Sequence, residues 1–550
     1  MTRKKKWLKN PPKGWIFKEG RLWQQAITTH PALLVGKDPY SKNFLATYGQ
    51  TYLMLAAPPG SGKGVGVVIP NLLQYPHSVV VNDCKFENWY LTAGFRRACG
   101  QRVWRFSPER LETHHWNPLK VINQAPLHRL GDVRQLASSL YVPDNMKNAS
   151  WWEWARDRFT AIVLYLIETP ELPLTLPQCY EIAAQGTQLG AWAQKVIDER
   201  SEGDRPLSAE TVRELNIIIS ESKGKEFAQH MTFLTTRLSV YGEKLVALAL
   251  TESDDPDENI DFSTLRERPT SIYFCVTEGA MKKFSPLMNL FFSQAIRENS
   301  KVLPQQGGHV ELDDGNMALR LRYQVLFLMD EFAEMKRVEV METAPALTRG
   351  AGLRYLIIFQ NKSQVNADDC YGREGGKALM MPFHVEVVYA PGDIDTATEY
   401  SKRLGNTTVR VASNNQNVSD GRRSRGRSFT VQPRPLMLPQ DVNELPYDEA
   451  LVFMQPTRQT PAMKIRCHKI YWYEEPIFRA RVDEKTFPLP AVPRGEATRI
   501  DGLVVPMVTQ HNRGPVTLSS PEGDCLKDEQ RKREKTPPNQ GGDPENSIQP

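Results

Sequence analysis

Tyr52-Leu53-Met54-Leu55-Ala56-Ala57-Pro58-Pro59-Gly60-Ser61-Gly62-Lys63-Gly64 is the stretch on which the fold class turns. An apolar run passes into a Pro/Gly/Ser loop that ends in Gly-Lys, and a helical pattern, Val65–Leu73, follows. Small residues let backbone N–H groups converge on a phosphate, the start of a helix adds partial positive charge, and the Lys63 ammonium reaches the outer phosphate oxygens. Pro59, Gly60, Ser61, Gly62, Lys63, Gly64 and Val65 are therefore expected to hold a nucleotide. Against the pattern G-x-x-x-x-G-K-[ST], Ala57 takes the place of the first glycine and Gly64 that of the hydroxyl that ligates Mg²⁺. Read alone, the segment is equally a flexible glycine-rich turn. Pro70 breaks the helical pattern without an evident local reason.

Outward from this loop, further strand patterns occur at Ser78–Asp83, Arg102–Phe106, Ser271–Thr277, Gln324–Asp330, Leu353–Gln360, His384–Tyr389 and Ala450–Met454. Most are apolar at both parities, as in Val79-Val80-Val81, which is the pattern of a strand covered on both faces. Strands alternating with helical patterns predict an α/β protein with a mostly parallel sheet. Leu326-Phe327-Leu328-Met329-Asp330-Glu331 ends such a strand in two acids. Carboxylates at the C-terminal rim of a parallel sheet suit a metal–nucleotide site. Asp330 is expected to hold Mg²⁺ through water, and Glu331 to polarise an attacking water; a helix cap is the structural alternative for Asp330. Gln360 ends the neighbouring strand and is read as a γ-phosphate sensor or a cap. Arg349 is read as a finger reaching a neighbouring subunit's site or as a solvated helix-end cation. Asn82–Asn88 and Trp116–Leu119 follow two further strands.

Strand signals vanish between about Asp132 and Thr251, where helical patterns cover Trp151–Glu168, Pro177–Ala184, Leu189–Glu199, Ser208–Glu221 (with Ser208 as cap) and Phe227–Ala249. An all-α domain inserted into the α/β domain is expected. Trp151, Trp152 and Trp154 read as core packing rather than a binding platform, and His114-His115, without spaced partners, as surface histidines rather than metal ligands. With 550 residues, 69 Lys and Arg against 64 Asp and Glu, a net charge of +5 and a pI near 8.6, the chain is multidomain and lacks the charge excess of a simple DNA-coating protein. Seven scattered cysteines, Cys84, Cys99, Cys179, Cys275, Cys370, Cys467 and Cys525, argue against a disulfide framework. No apolar run approaches the ~20 residues of a membrane helix, so a soluble chain is expected. Asn414–Ser428, with Arg422, Arg423, Arg425 and Arg427, and the polar stretch from about Asn512 are expected to be unstructured.

Taken together, these segments resemble the VirD4/TraG coupling proteins of type IV secretion, in the FtsK/HerA branch of RecA-like motors. The matching pieces are Ala57–Pro70, Asp83–Asn88, Asn117-Pro118-Leu119, Asp330-Glu331, Arg349–Gln360, Arg434-Pro435-Leu436 and Leu445-Pro446, in order along the chain. The family often carries glycine after the loop lysine, as Gly64 here, and glycine where this chain has Phe86. The resemblance implies a RecA-like P-loop NTPase core over 46–131 and 258–485, an inserted all-α domain over 132–257, an N-terminal segment over 1–45 and a largely disordered tail over 486–550. It implies a hexameric ATPase using ATP and Mg²⁺: Lys63 binds phosphate, Asp330 orders Mg²⁺, Glu331 activates water, Arg349 acts in trans and Gln360 is the coupling or sensor residue. The implied partners are single-stranded DNA with its relaxase, secreted protein effectors, channel ATPases and inner-membrane components. The place implied is the cytoplasmic face of the bacterial inner membrane, reached peripherally or through a partner. A nucleotide-binding recruitment platform with little hydrolysis is the competing expectation.

Overall fold

The computed structural model describes residues 16–17, 31–143, 149–312, 315–419, 422–456, 461–496 and 502–507. By its internal contacts the chain divides into Met1–Pro506 and Met507–Pro550, and every element below belongs to the first unit. The strands are β1 (Ile16–Phe17), β2 (Leu33–Lys37), β3 (Phe44–Thr47), β4 (Leu53–Ala56), β5 (Ser78–Asp83), β6 (Arg102–Phe106), β7 (Thr270–Cys275), β8 (His309–Glu311), β9 (Met317–Leu319), β10 (Val325–Met329), β11 (Leu353–Phe359), β12 (Val385–Val388), β13 (Asn406–Ser419), β14 (Arg422–Pro435), β15 (Glu449–Met454) and β16 (Met463–His468).

One 12-stranded sheet has the order β1-β3-β2-β16-β15-β12-β4-β11-β10-β5-β7-β6. From β12 to β6 every neighbouring pair is parallel, and from β12 to β1 every pair is antiparallel. The expected α/β architecture with its mostly parallel sheet is present, and all eight expected strands lie in it, with ends displaced by at most two residues. Every residue of β4, β5, β10 and β11 is buried, as the two-faced apolar pattern requires.

Three boundaries differ from expectation. β2 precedes residue 46 and β3 begins before it, yet both belong to the sheet: Leu33, Val35 and Leu45 share one buried cluster with Leu53 and Leu55. Asn414–Ser428 is not irregular but forms most of an antiparallel ribbon, β13 with β14, from Asn406 opposite Pro435 to Ser419 opposite Arg422. Its register puts Arg410, Arg423, Arg425 and Arg427 at positions of one parity, together with Phe429 and Val431; the side chains of residues 412–428 lie outside the described set. The ordered chain also continues past 485. Phe487 packs edge-on against Phe95 (5.3 Å between ring centres), Leu489 and Val492 pack onto the sheet core, and Leu503 joins Ala247 and Leu248. Four apolar side chains within 17 residues distinguish this part from the polar stretch beginning at Asn512, which lies outside the described residues.

Between β6 and β7 the chain forms helices Arg129–Leu140, Ala149–Ile167, Leu176–Ala183, Leu189–Ser201, Ala209–Glu221, Phe227–Leu238 and Lys244–Ala249. Ser208 caps its helix as expected, its hydroxyl accepting the Thr211 N–H at 3.2 Å. The single helix expected over Phe227–Ala249 is divided by a tight turn at Ser239–Gly242, where a Cβ on Gly242 would come within 2.4 Å of the Tyr180 ring. Trp152 is buried, and Trp151 and Trp154 pack around His230, Phe233 and Phe227. Trp152 is core, and Trp151 and Trp154 are half-buried against these neighbouring rings. Among the described residues, no helix is long and apolar enough to cross a membrane.

Candidate functional site

β4 ends at Ala56, and the chain turns into a helix that is widened over Gly64–Val68 before its regular part, Ile69–Gln74. Gly60 and Gly62 sit at φ +70° and +85°, in the left-handed region that favours glycine. The widened turn answers the question of Pro70. Ile69 N–H bonds to Gly64 O, five residues back, and Pro70 then falls in the first turn of the regular helix, where its missing N–H is not needed. No side chain caps the helix start at Lys63, so its first N–H groups have no side-chain partner, as an anion site requires.

β10 delivers Asp330 and Glu331 to the same rim. The Lys63 ammonium forms an ion pair with Glu331 and lies 3.8 Å from Asp330 Oδ1. Glu331 adopts φ +51° and donates its N–H to Asp330 Oδ1 at 2.9 Å. Asn82 Nδ2 donates to the Asp330 carbonyl at 2.7 Å. Because Met329 pairs with Asn82 between β10 and β5, Asp83 stands beside Asp330. Burial pushes the Asp330 carboxyl up to about 6 and that of Asp83 up to about 7, the latter even though Asp83 accepts the Trp89 N–H at 2.8 Å. Adjacent buried carboxyls disfavoured as anions are the setting that a divalent cation relieves. Among the described residues no group of three or more His, Cys, Asp and Glu could hold a metal, so Mg²⁺ would complete its six oxygen ligands from water and phosphate. The residues fit such a metal–nucleotide pair.

Phe86 takes φ +60°, the conformation a glycine adopts readily, and is held there with its ring buried beneath the Arg110 guanidinium, 3.8 Å from the ring centre. Gln360 follows β11 at the same rim and lines, with Pro58, Pro59 and Tyr389, a cleft of about 260 Å³. Arg349 is not brought to this rim. It lies at the opposite end of β11, exposed, 3.3 Å from His384 Nδ1 and 5.4 Å from the Tyr52 ring centre. The length of β11 separates it from the acidic pair by roughly 20 Å.

His114 and His115 are buried rather than on the surface, bonded to backbone at Arg105 and Leu248. Burial drives His114 down to about 3. A larger cavity of about 750 Å³ lies between Trp116–Val121 and Glu252–Ser263, lined by no residue of the phosphate loop. Asn117 serves locally there, accepting the Leu119 N–H at 3.1 Å.

Sequence reasoning missed the groups that brace the loop from the far side. Tyr447 Oη donates to Gly60 O at 3.1 Å and Lys469 Nζ to Ser61 O at 2.9 Å. Tyr389 Oη lies 2.7 Å from where a Cβ on Gly66 would stand, so the helix approaches that ring as only glycine allows. Lys469, between the Tyr389 and Tyr447 rings at 3.8 and 4.6 Å from their centres, is lowered by burial to about 8. Tyr447 and Lys469 lie some four hundred positions beyond the loop; the aromatic cluster Tyr471-Trp472-Tyr473 was their visible trace.

An α/β sheet with a Gly-Lys loop on one strand and an acidic pair facing its lysine from the next strand but one has the architecture of a RecA-like P-loop NTPase. The chain matches the family "Type IV secretory system Conjugative DNA transfer" over residues 4–495, and belongs to it. It is 29% identical over 449 residues to Protein VirD4 of Rhizobium rhizogenes, covering 80% of this chain and 60% of that protein. It is 25% identical over 490 residues to Conjugal transfer protein TraG of Escherichia coli, covering 83% and 74%. The chain thus spans about three fifths of the VirD4 relative's length. Among solved structures it is similar in fold to the unbound conjugative coupling protein TrwBdeltaN70 (TM-score 0.55, 16% identity, 85% of this chain and 96% of that one). It is also similar to TrwB in complex with ADP and Mg²⁺ (TM-score 0.52, 17% identity, 78% and 87%).

Proposed function

We propose that this chain is an ATP-driven coupling protein that delivers DNA, with its relaxase, or protein substrates to a type IV secretion channel. The observation that carries the reading is the convergence of Lys63 with Asp330 and Glu331 at one sheet rim, from segments 268 residues apart. Family membership and the TrwB complex with ADP and Mg²⁺ support the same ligands here.

Bound Mg²⁺ would supply charge neutralisation across the outer phosphates. Lys63 exchanges its Glu331 partner for phosphate oxygen, and the backbone N–H groups at Gly62–Val65 face the inner phosphates. Asp330, with Asp83 beside it, would hold the metal through its water ligands. Glu331, freed from Lys63, orients and deprotonates the attacking water. Gln360 reports occupancy from the end of β11. Arg349, at the opposite end of β11, acts on the site of an adjacent subunit, which fits a homo-hexamer working at the inner membrane. The β13–β14 ribbon carries arginines at positions of one parity, a pattern that suits a polyanionic substrate.

Gly64 favours one competing reading. Without a hydroxyl for Mg²⁺ at that position, the protein would bind nucleotide and recruit substrate while hydrolysing little. ATP hydrolysis measured with and without single-stranded DNA separates the two. The motor reading expects a DNA-stimulated rate that falls at least about 100-fold in Lys63→Ala and Glu331→Gln, with Glu331→Gln still binding ATP. Equal rates in all three proteins would refute hydrolysis at this site.

A further inference from the structure

The loop-bracing groups carry one step further, which rests on the nucleotide reading. We propose that Tyr447 is the base-stacking platform of the site: a purine ring lies on the exposed ring of Tyr447, with Tyr471 as its backing.

Sheet order sets the direction. Lys63 meets Glu331 on the β11–β10 side of β4, whereas Tyr447 immediately precedes β15 and Tyr471 follows β16, on the β12 side. A triphosphate whose outer phosphate is held between Lys63 and Glu331 therefore extends its sugar and base the other way along the rim, over Gly62 and toward these rings. The ring system is close enough to receive them: a Cβ on Gly62 would stand 3.4 Å from Tyr447 Oη and 3.6 Å from Tyr471 Cε1.

Tyr447 also differs from an ordinary surface tyrosine. It is 61% exposed, yet it is pinned from several directions. Its hydroxyl is bonded to Gly60 O, and its carbonyl accepts the Tyr471 hydroxyl at 3.2 Å. The Tyr471 ring stacks on it, 6.3 Å between centres and 7° from parallel, and the Lys469 ammonium lies 4.6 Å from its ring centre. Tyr471 itself is 7% exposed and stacks in turn on Tyr473 at 5.6 Å. A large aromatic surface held open and immobile beside a phosphate loop is pre-organised for a flat ligand and pays no ordering entropy on binding. A ring face recognises the π-surface common to all bases rather than a hydrogen-bonding edge, so adenine and guanine are accepted alike.

The test compares ATP, GTP and inorganic tripolyphosphate, each with Mg²⁺, by calorimetry on the full chain. The wild type is expected to bind ATP and GTP with similar affinity and both more tightly than tripolyphosphate. Tyr447→Ala is expected to weaken ATP and GTP by roughly 5- to 100-fold and leave tripolyphosphate within about twofold. Tyr447→Phe keeps the ring, loses only the bond to Gly60, and should stay within about twofold of wild type for every ligand. Equal loss of ATP and tripolyphosphate in Tyr447→Ala makes the residue a strut for the loop and overturns the proposal, as does no loss at all. A wild type that binds ATP no better than tripolyphosphate sinks the platform but leaves the phosphate site standing. A wild type that binds none of the three refutes the nucleotide reading itself.

Discussion

Replacing Asp330 by asparagine is expected to stabilise the nucleotide-free protein while removing its response to magnesium nucleotide. Burial carries the Asp330 carboxyl from 3.8 to about 6, with Lys63 pulling in the opposite direction. Because the folded state holds this proton more tightly than the unfolded chain, the contribution to stability is full below pH 4 and is lost as the pH rises through about 6. Keeping the group ionised at pH 7.5 then costs ~3 kcal/mol, at ~1.4 kcal/mol per pKa unit, and about half of that at pH 5. Asparagine removes the charge but keeps an oxygen for the Glu331 N–H, which Asp330 Oδ1 accepts at 2.9 Å. The bond from Asn82 goes to the backbone carbonyl and survives, and Lys63 retains Glu331. The net gain expected for Asp330→Asn is about 1–3 kcal/mol at pH 7.5, shrinking at pH 5. Urea denaturation in EDTA at the two pH values reads it directly. With MgATP at 100 times its Kd in place of EDTA, wild type gains about 2.7 kcal/mol, and the variant gains much less. A variant less stable than wild type at pH 7.5, or with a gain independent of pH, refutes the account of buried charge; one that keeps the full magnesium-dependent gain refutes the metal role.

Two further outcomes follow from the geometry. Mixing Arg349→Ala with Lys63→Ala subunits is expected to restore part of the ATP hydrolysis that each variant lacks alone, because hybrid interfaces pair an intact loop with an intact arginine; no recovery would confine Arg349 to its own subunit. Phe86→Gly relieves a left-handed backbone worth ~1 kcal/mol but deletes a buried ring, so thermal denaturation should report a net loss of about 2–4 kcal/mol; a variant as stable as wild type would show that the buried ring and its Arg110 stack contribute no more than the strain that they impose.

What the sequence made legible was whatever announces itself locally. β4, β5, β10 and β11 are uninterrupted apolar runs, and a run apolar on both parities has few places to go except the middle of a covered sheet. The loop and the acidic pair were readable for the same reason, since each ends such a run. The ribbon was not. Asn, Ser, Thr, Gln and Arg dominate it, apolar alternation is confined to the short stretches Val409–Val411 and Phe429–Val431, and its strands are held by a backbone ladder that composition does not reveal; Asp420-Gly421 between the arms was the one hairpin signal. Pro70 read as a helix breaker because the widened turn that shifts the hydrogen-bond register over Gly64–Val68 has no sequence signature. Tyr447, Lys469 and Tyr471 were hidden by distance: only the antiparallel return through β15 and β16 brings them back to a loop near residue 60.

The two flanks of the loop differ in a way that bears on how such a site would work. On the acidic flank the groups are frustrated: two carboxyls are buried where burial disfavours their charge, and Lys63 forms ion pairs with both Asp330 and Glu331. On the tyrosine flank the groups are satisfied, with Gly60 O and Ser61 O each accepting a donor and the rings stacked. Ligand binding therefore has little to gain by moving the tyrosine side and much to gain by rearranging the acidic one. On the proposed reading, phosphate draws Lys63 away and a dication takes its place among the acids, so that Glu331 is released as a base only when both are present. On the same reading the Lys63–Glu331 contact restrains the base as well as marking the site, and the substitution that separates these roles is Glu331→Gln, which removes the base while leaving an amide oxygen to accept from Lys63.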